Sequence, residues 1–142
     1  MTSTTARAFL DTNIFVYAYD ASTPAKRDRA RHVIATASQI VISSQVLAEF
    51  YQVTTRKLAH PLKPDRAADV IGEMSQLDVV AVDAALVRSA AALSRSSRIS
   101  LWDAMIVRAA ITAGCDLLLT EDLAGGSKLE GVQIENPFAG LD

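Results

Sequence analysis

The sequence predicts an α/β fold in which helices cover both faces of a parallel β-sheet. Short apolar runs alternate along the chain with longer segments of helical periodicity, as expected for repeated β-α units. The apolar runs are continuous rather than alternating with polar residues, which is typical of strands buried on both faces. Because the chain has 142 residues and no long linker, we expect a single domain over residues 1–142.

Each predicted strand is a short, mostly apolar run followed by polar residues. Four strands are predicted at residues 8–10, 40–42, 78–82 and 116–119, with a short fifth strand at 132–134. In parallel sheets of this class, ligands bind beyond the carboxyl ends of the strands. The residues that follow the strands are therefore the first candidates for a functional site.

The predicted helices follow from apolar residues spaced three and four apart. They are expected at residues 13–19, 26–38, 44–56, 65–76, 83–94 and 100–113. Pro24 opens the second helix, Ser43 or Ser44 caps the third, and Gly114 ends the last. The polar run at residues 95–98 predicts a turn.

The composition excludes several classes of protein. The single cysteine, Cys115, cannot form an internal disulfide framework, and two histidines without partner cysteines do not make a zinc finger. No apolar run reaches the length of a transmembrane helix, and Asp11 and Asn13 interrupt the early apolar residues that a signal peptide would need. We therefore expect a cytoplasmic protein that does not enter a membrane.

The charge balance excludes a protein that binds nucleic acid by bulk positive charge alone. The chain carries 14 basic and 16 acidic residues, for a formal net charge of −2. If four of the acids were neutralised by metal in one pocket, the basic residues would outnumber the acids that remain. The acidic total is therefore compatible with a phosphate-bearing substrate.

Four carboxylates are predicted to meet at one edge of the sheet. Asp11 and Asp122 follow the first and fourth strands, whereas Glu49 and Asp103 lie in the first turns of helices that begin at the same edge. Each also has an ordinary structural interpretation. Asp11 suits a helix N-cap, and Ser100 with Asp103 forms a variant capping box. Glu49 suits the boundary of an apolar helix face, and Asp122 suits a turn.

The set of four acids carries more weight than any member. Two unit charges about 4 Å apart repel by roughly 4 kcal/mol at an effective dielectric constant near 20, so the cluster requires protons or cations. Oxygen ligands without histidine or cysteine select hard cations such as Mg²⁺ or Mn²⁺. Enzymes typically use such carboxylate-bound cations to hydrolyse phosphodiesters. We predict that four residues are both catalytic and metal-binding: Asp11, Glu49, Asp103 and Asp122.

Four motifs resemble those of PIN-domain ribonucleases in order and spacing. They are FLDTNIFVYA at 9–18, SSQVLAEF at 43–50, SLWDAMI at 100–106 and CDLLLTEDL at 115–123. The chain length resembles that of the stand-alone VapC-like toxins of type II toxin–antitoxin systems. The resemblance implies a PIN-like three-layer α/β/α fold with a central parallel sheet of four to five strands. It also implies an endoribonuclease that depends on Mg²⁺ or Mn²⁺.

The same resemblance implies partners and supporting residues. The partners are an RNA substrate, a second copy of the chain in a homodimer, and a small cognate antitoxin that covers the site. Asn13 and Thr120 would support the acids as polar neighbours. Glu121, adjacent to Asp122, leaves open which of the two supplies the fourth carboxylate.

Basic residues near the predicted site are candidates for RNA contacts. Arg95 and Arg98 precede the third motif directly and are the best placed. The basic run at residues 26–31 is expected to be a solvated helix face. Trp102 is expected to lie in the core rather than to stack on a base.

Two other functions remain open. A non-catalytic PIN-fold module that binds RNA or a protein partner would share the fold, but it has no reason to keep four repelling acids. Carboxylate-dependent binding of Mn²⁺ would separate the two. A haloacid-dehalogenase-like phosphatase also uses an aspartate after its first strand, but it needs a second aspartate two residues later, where this chain has Asn13.

Overall fold

A six-stranded sheet forms the centre of the structure, a computed structural model that describes residues 6–141. The strands are β1 (Arg7–Leu10), β2 (Gln39–Ser43), β3 (Asp78–Val80), β4 (Leu117–Leu119), β5 (Lys128–Leu129) and β6 (Val132–Glu135). The helices are α1 (Thr12–Ala18), α2 (Pro24–Thr36), α3 (Ser44–Arg56), α4 (Pro64–Met74), α5 (Ala84–Ser97) and α6 (Leu101–Thr112). None of these described helices is both long and apolar enough to cross a lipid bilayer.

The strand β1 lies at the middle of the sheet, whose order is β3-β2-β1-β4-β6-β5. Phe9 pairs with Val41 of β2 on one side and with Leu118 of β4 on the other, and both pairings are parallel. Phe9 and Leu10 point to opposite faces of the sheet, and both are fully buried. The sheet is therefore covered on both sides, and the predicted α/β class with a mostly parallel sheet is confirmed.

The edges of the sheet differ from the prediction. The two-residue strand β5, which the sequence did not predict, pairs antiparallel with β6. Glu130 and Gly131 form the connecting turn with φ angles of 51° and 87°, the left-handed geometry that suits a tight hairpin. At the other edge, β3 ends at Val80 rather than Val82, because the Val82 amide donates to the Ser44 hydroxyl instead of to a neighbouring strand.

The predicted turn at residues 95–98 is wrong, because α5 continues through most of it. The helix reaches Ser97 and ends at Arg98, whose φ of 55° is left-handed and whose amide donates back to the Ser94 carbonyl. Ser94 Oγ also donates to the carbonyl oxygen of Ile99 at 2.5 Å. Polar residues on an exposed helix surface resemble a turn in sequence, and only the cap shows where the helix ends.

Cys115 packs as a small apolar residue. It belongs to the buried core and is a free thiol. Burial raises the pKa of this thiol to about 11, so it stays protonated and unreactive at neutral pH.

Candidate active site

Asp11 connects the central strand to α1 and is 4% exposed. Its carboxylate accepts hydrogen bonds from the Thr12 amide at 2.7 Å and from Thr120 Oγ1 at 2.8 Å. Its own amide donates to the Leu119 carbonyl at 3.0 Å, which holds it at the end of β4. Asp11 is therefore both the N-cap of α1 and a fixed carboxylate at the carboxyl edge of the sheet.

The environment of Asp11 raises its pKa to about 7. Burial is the main cause, and the negative charges of Asp122 and Glu49 add to it. The hydrogen bonds from Thr120 and Thr12 oppose the shift but do not cancel it. A carboxyl group whose pKa lies near neutrality in an acidic cluster is a common feature of functional sites.

Glu49 is anchored at both of its carboxylate oxygens. Thr12 Oγ1 donates to Glu49 Oε1 at 2.8 Å, and Gln45 Nε2 donates to Glu49 Oε2 at 3.3 Å. Gln45 lies one helical turn earlier on α3, whereas Thr12 belongs to α1. The side chain of Glu49 is therefore directed toward the start of α1 and the end of β1.

Thr120 and Asn13, which the sequence assigned as polar supports, hold Asp122 near Asp11. The Thr120 hydroxyl donates to Asp11 and accepts from the Asp122 amide at 3.1 Å. Asn13 Nδ2 donates to Asp122 Oδ2 at 3.2 Å. The pKa of Asp122 is raised, first by burial and then by the negative charge of Asp103.

Asp103 reaches the same electrostatic environment from the first turn of α6. Its amide donates to Ser100 Oγ at 3.0 Å, so Ser100 is the N-cap that the sequence predicted. The negative charge of Asp103 is among the causes that raise the pKa of Asp122. All four predicted acids thus lie in one network of charge interactions.

The four acids fit a hard cation in type, although they do not form a closed ligand set. Within residues 6–141, no group of three His, Cys, Asp or Glu side chains is arranged to hold a metal ion. Two carboxamide oxygens beside the acids, Asn13 Oδ1 and Gln45 Oε1, are buried without a hydrogen-bond partner. Carboxylate and amide oxygens are the donors that Mg²⁺ and Mn²⁺ prefer, so the residues present fit such an ion.

Glu121 has a different role from its neighbour Asp122. Tyr17 OH donates to Glu121 Oε1 at 2.6 Å, and Lys26 Nζ donates to Oε2 at 2.7 Å. Burial would raise the pKa of Glu121, but these bonds and the Lys26 charge lower it overall. Because both oxygens are occupied, Glu121 ties α1 and α2 to the segment after β4.

The expectation of a solvated face over residues 26–31 is accordingly wrong at Lys26. Its side chain is 18% exposed and pairs with Glu121. Its ammonium also lies 4.9 Å from the centre of the Tyr17 ring. The pairing depends on a residue 95 positions away, so a local charge run gives no sign of it.

A cavity of about 510 Å³ opens beside the acids and contains residues that the sequence reasoning missed. Three of the four acidic motifs contribute to it through Thr12, Asn13, Glu49 and Asp122. The missed residues on its wall include Tyr17, Gln52 and Lys57. The spacing of Glu49, Val53 and Lys57, four residues apart on α3, is the sequence signal that could have identified Lys57.

Other predicted residues lie on the surface. Trp102 is 62% exposed, so the expectation of a core position is wrong. It occupies the first turn of α6, before the helix reaches the buried residues that begin at Ala104. Arg95 and Arg98 are exposed at the end of α5, and their contact with RNA remains a prediction.

This fold and site define an α/β protein with a carboxylate cluster at the carboxyl edge of its sheet, which is typical of metal-dependent hydrolases of phosphodiesters. The family model of the PIN domain matches residues 8–124. The chain therefore belongs to the PIN domain family. This assignment replaces the alternative of a haloacid-dehalogenase-like phosphatase. Such a phosphatase would need an aspartate at position 13, where Asn13 instead donates a hydrogen bond to Asp122.

Solved structures of similar fold come from toxin–antitoxin systems. A toxin–antitoxin complex from Klebsiella pneumoniae gives a TM-score of 0.66 at 21% identity and covers 92% of this chain and 97% of that chain. The sarcin–ricin loop cleaving toxin VapC20 of Mycobacterium tuberculosis gives a TM-score of 0.63 at 23% identity and covers 78% of this chain and 86% of that chain. DNA-bound VapBC from Salmonella typhimurium gives a TM-score of 0.62 at 25% identity and covers 93% of this chain and 98% of that chain. No curated protein sequence matches the chain significantly.

Proposed function

We propose that the protein is an endoribonuclease that depends on Mg²⁺ or Mn²⁺ and is the toxin of a toxin–antitoxin pair. The observation that carries this proposal is a hydrogen-bond network in which Thr12 joins Asp11 to Glu49 and Thr120 joins Asp11 to Asp122, so that carboxylates from three separate segments meet and repel one another. The charge of Asp103 adds to this repulsion, because it raises the pKa of Asp122. Such repulsion destabilises the fold unless a cation or a proton compensates it. Membership of the PIN domain family supports the proposal, as does the similarity to a toxin described as cleaving the sarcin–ricin loop.

The proposed metal ligands are Asp11, Glu49, Asp103 and Asp122. These residues would hold the ion, which would supply Lewis-acid activation of a water molecule and stabilisation of negative charge on the leaving oxygen. Hydrolysis forms a bond between the water oxygen and phosphorus and breaks the bond from phosphorus to the leaving oxygen, which takes up a proton.

The protein contributes orientation and charge to this reaction. Thr12 and Gln45 fix the two oxygens of Glu49, and Thr120 fixes one oxygen of Asp11. These hydrogen bonds orient the carboxylates before a ligand arrives, which reduces the rearrangement needed in the reaction. Since the pKa of Asp11 is about 7, cation and proton compete for this group at neutral pH.

The test compares two isosteric substitutions on an RNA substrate. Purified antitoxin-free protein is incubated with labelled structured RNA in Mn²⁺ or in EDTA. Asp11→Asn is expected to abolish cleavage and Mn²⁺ binding measured by calorimetry. Asp116→Asn is the matched control, because Asp116 is exposed just before β4, at the opposite end of that strand from Thr120. It is expected to leave both properties unchanged.

The outcomes separate the proposal from its alternative. Cleavage that requires Mn²⁺, is lost in Asp11→Asn and is retained in Asp116→Asn supports the nuclease. Absence of both Mn²⁺ binding and cleavage across a broad RNA panel favours the non-catalytic module. Equal Mn²⁺-dependent cleavage by wild type and Asp11→Asn contradicts the proposal, whereas cleavage that persists in EDTA is assigned to a contaminating ribonuclease and subtracted.

We also propose a homodimer and an antitoxin that covers the acidic site. The similar structures of toxin–antitoxin complexes support the antitoxin partner. Light scattering of the purified chain should give twice the monomer mass. Coexpression with the product of an adjacent gene should suppress RNA cleavage. We propose that RNA cleavage and its inhibition by the antitoxin both take place in the cytoplasm.

A further inference from the structure

One row of residues on α3 connects the acidic cluster to two surface features that the proposed chemistry does not use. Gln45, Glu49, Val53 and Lys57 recur every four residues, so each lies next to the following one in a row that turns by about 120° around the helix between its ends. At a rise of about 1.5 Å per residue, Gln45 and Lys57 are separated by about 18 Å. Glu49 lies between them, one turn from Gln45 and two turns from Lys57.

The Lys57 end of this row opens into the cavity beside the acids. Lys57 lines the same cavity as Thr12, Glu49 and Asp122, and among the described residues of the cavity wall it is the one cation. It follows the last turn of α3, where its amide donates to the Val53 carbonyl. An exposed ammonium next to this cavity favours a phosphate group.

The Gln45 end of the row contacts the segment that carries Trp102. Gln45 Nε2 donates to the Trp102 carbonyl at 3.2 Å and to Glu49 Oε2 at 3.3 Å. One amide nitrogen therefore joins the backbone at Trp102 to the acidic site. Trp102 is 62% exposed, and Arg98, also exposed, lies four residues before it. An exposed indole is suited to stacking on a nucleic-acid base.

We propose that single-stranded RNA lies along α3, with a phosphate on Lys57 at one side of the acids and a base stacked on Trp102 at the other. This inference rests on the proposed nuclease function and assigns the direction in which the substrate crosses the site. The axial distance of about 18 Å between Gln45 and Lys57 corresponds to roughly five nucleotides at the ~3.4 Å axial spacing of a stacked strand. We name this surface, Lys57 to Trp102 across Gln45 and Glu49, the α3 track.

The first measurement uses Trp102 as its own probe, because it is the only tryptophan in the chain. Wild-type protein in EDTA is titrated with an unstructured RNA of about ten nucleotides, roughly twice the length of the track. Stacking is expected to quench the tryptophan emission and to give a saturable curve. The emission is also recorded over a range of protein concentrations without RNA.

The second measurement compares RNA affinities of variants by fluorescence anisotropy of a labelled RNA. Trp102→Ala is expected to weaken binding about tenfold or more, and Trp102→Phe to restore most of it. Lys57→Met is expected to weaken RNA binding severalfold and to reduce the slope of log affinity against log salt concentration by about one. Lys57→Arg is expected to keep the wild-type affinity and slope. Lys63→Met removes another exposed lysine, at the cap of α4, and is the matched control. Circular dichroism confirms that each surface variant is folded.

Several results would overturn the α3 track. The first is Trp102 emission that does not change when RNA is added. The second is Trp102 emission that depends on protein concentration instead, because a second copy of the chain covers Trp102. The third is an RNA affinity of Lys57→Met equal to that of Lys63→Met. The track and the nuclease proposal fail separately. If Trp102→Ala and Lys57→Met both lose RNA affinity but the wild-type protein cleaves no RNA in Mn²⁺, the track is supported and the nuclease proposal is contradicted. Cleavage with unchanged affinities contradicts the track alone.

Discussion

The Thr12 hydroxyl donates a 2.8 Å hydrogen bond to Glu49 Oε1 and joins the start of α1 to α3. Thr12 also donates its amide to Asp11, so a single residue contacts two of the four acids through different groups. The relationship explains how carboxylates 38 positions apart in sequence acquire a fixed relative position. It also makes the orientation of the acids sensitive to residues that carry no charge.

The stability of the metal-free protein should decrease as pH rises through the acidic range. Asp11 has a folded-state pKa of about 7 against an ordinary value of 3.8. The folded state therefore retains a proton that the unfolded state releases, and stability is lost progressively between these pH values. The difference corresponds to roughly 4 kcal/mol for this group.

Asp11→Asn should remove that pH dependence and make the metal-free protein more stable at pH 8, despite abolishing cleavage. Chemical unfolding in EDTA at several pH values measures the effect. Asp116→Asn should follow the wild-type profile. A wild-type stability that rises between pH 4 and pH 7 would contradict the burial of a protonated Asp11.

Thr120→Val should reduce cleavage by about 10- to 100-fold, because the hydroxyl orients Asp11 and receives the Asp122 amide. It should also lower the free energy of unfolding by about 1 to 3 kcal/mol, since the buried Asp11 carboxylate and the part-buried Asp122 amide lose their partner. Thr54→Val is the matched control, because Thr54 is equally buried but its hydroxyl donates to the Phe50 carbonyl of its own helix and does not contact the acids. Similar cleavage by the two variants would show that Thr120 supports the fold and not the site.

Glu121→Gln and Asp122→Asn should separate two adjacent acids that the sequence could not distinguish. Asp122→Asn should abolish Mn²⁺-dependent cleavage. Glu121→Gln should retain most of it, because Tyr17 and Lys26 occupy both Glu121 oxygens. Kinetics under identical Mn²⁺ concentrations measure both. Loss of metal affinity in Glu121→Gln alone would reverse the assignment.

Ser100→Ala should lower the free energy of unfolding by about 1 kcal/mol through loss of the α6 cap. It should also reduce cleavage, because the capping bond holds the amide of Asp103. Asp83→Ala removes the equivalent cap of α5, where Asp83 accepts from the Leu86 amide. The control variant should lose similar stability with unchanged cleavage, as thermal unfolding and RNA assays of both proteins would show.

The sequence determined the features that depend on neighbouring residues. Continuous apolar runs identified the inner strands, since a strand buried on both faces cannot alternate with polar residues. The same local logic identified Ser100 as a cap and placed the four acids at the ends of strands or the starts of helices. The strand β5 and the end of α5 escaped prediction, because a two-residue strand and an exposed polar helix lack a distinctive pattern.

Only the tertiary structure decided which side chains meet. Glu121 is paired because Lys26 and Tyr17 approach it from two helices, and Asp11 has a raised pKa because the sheet and its neighbours exclude water. Trp102 is exposed because α6 begins outside the core and enters it one turn later. Burial and long-range pairing arise from packing between distant segments, so a local pattern can supply the groups but cannot fix their surroundings.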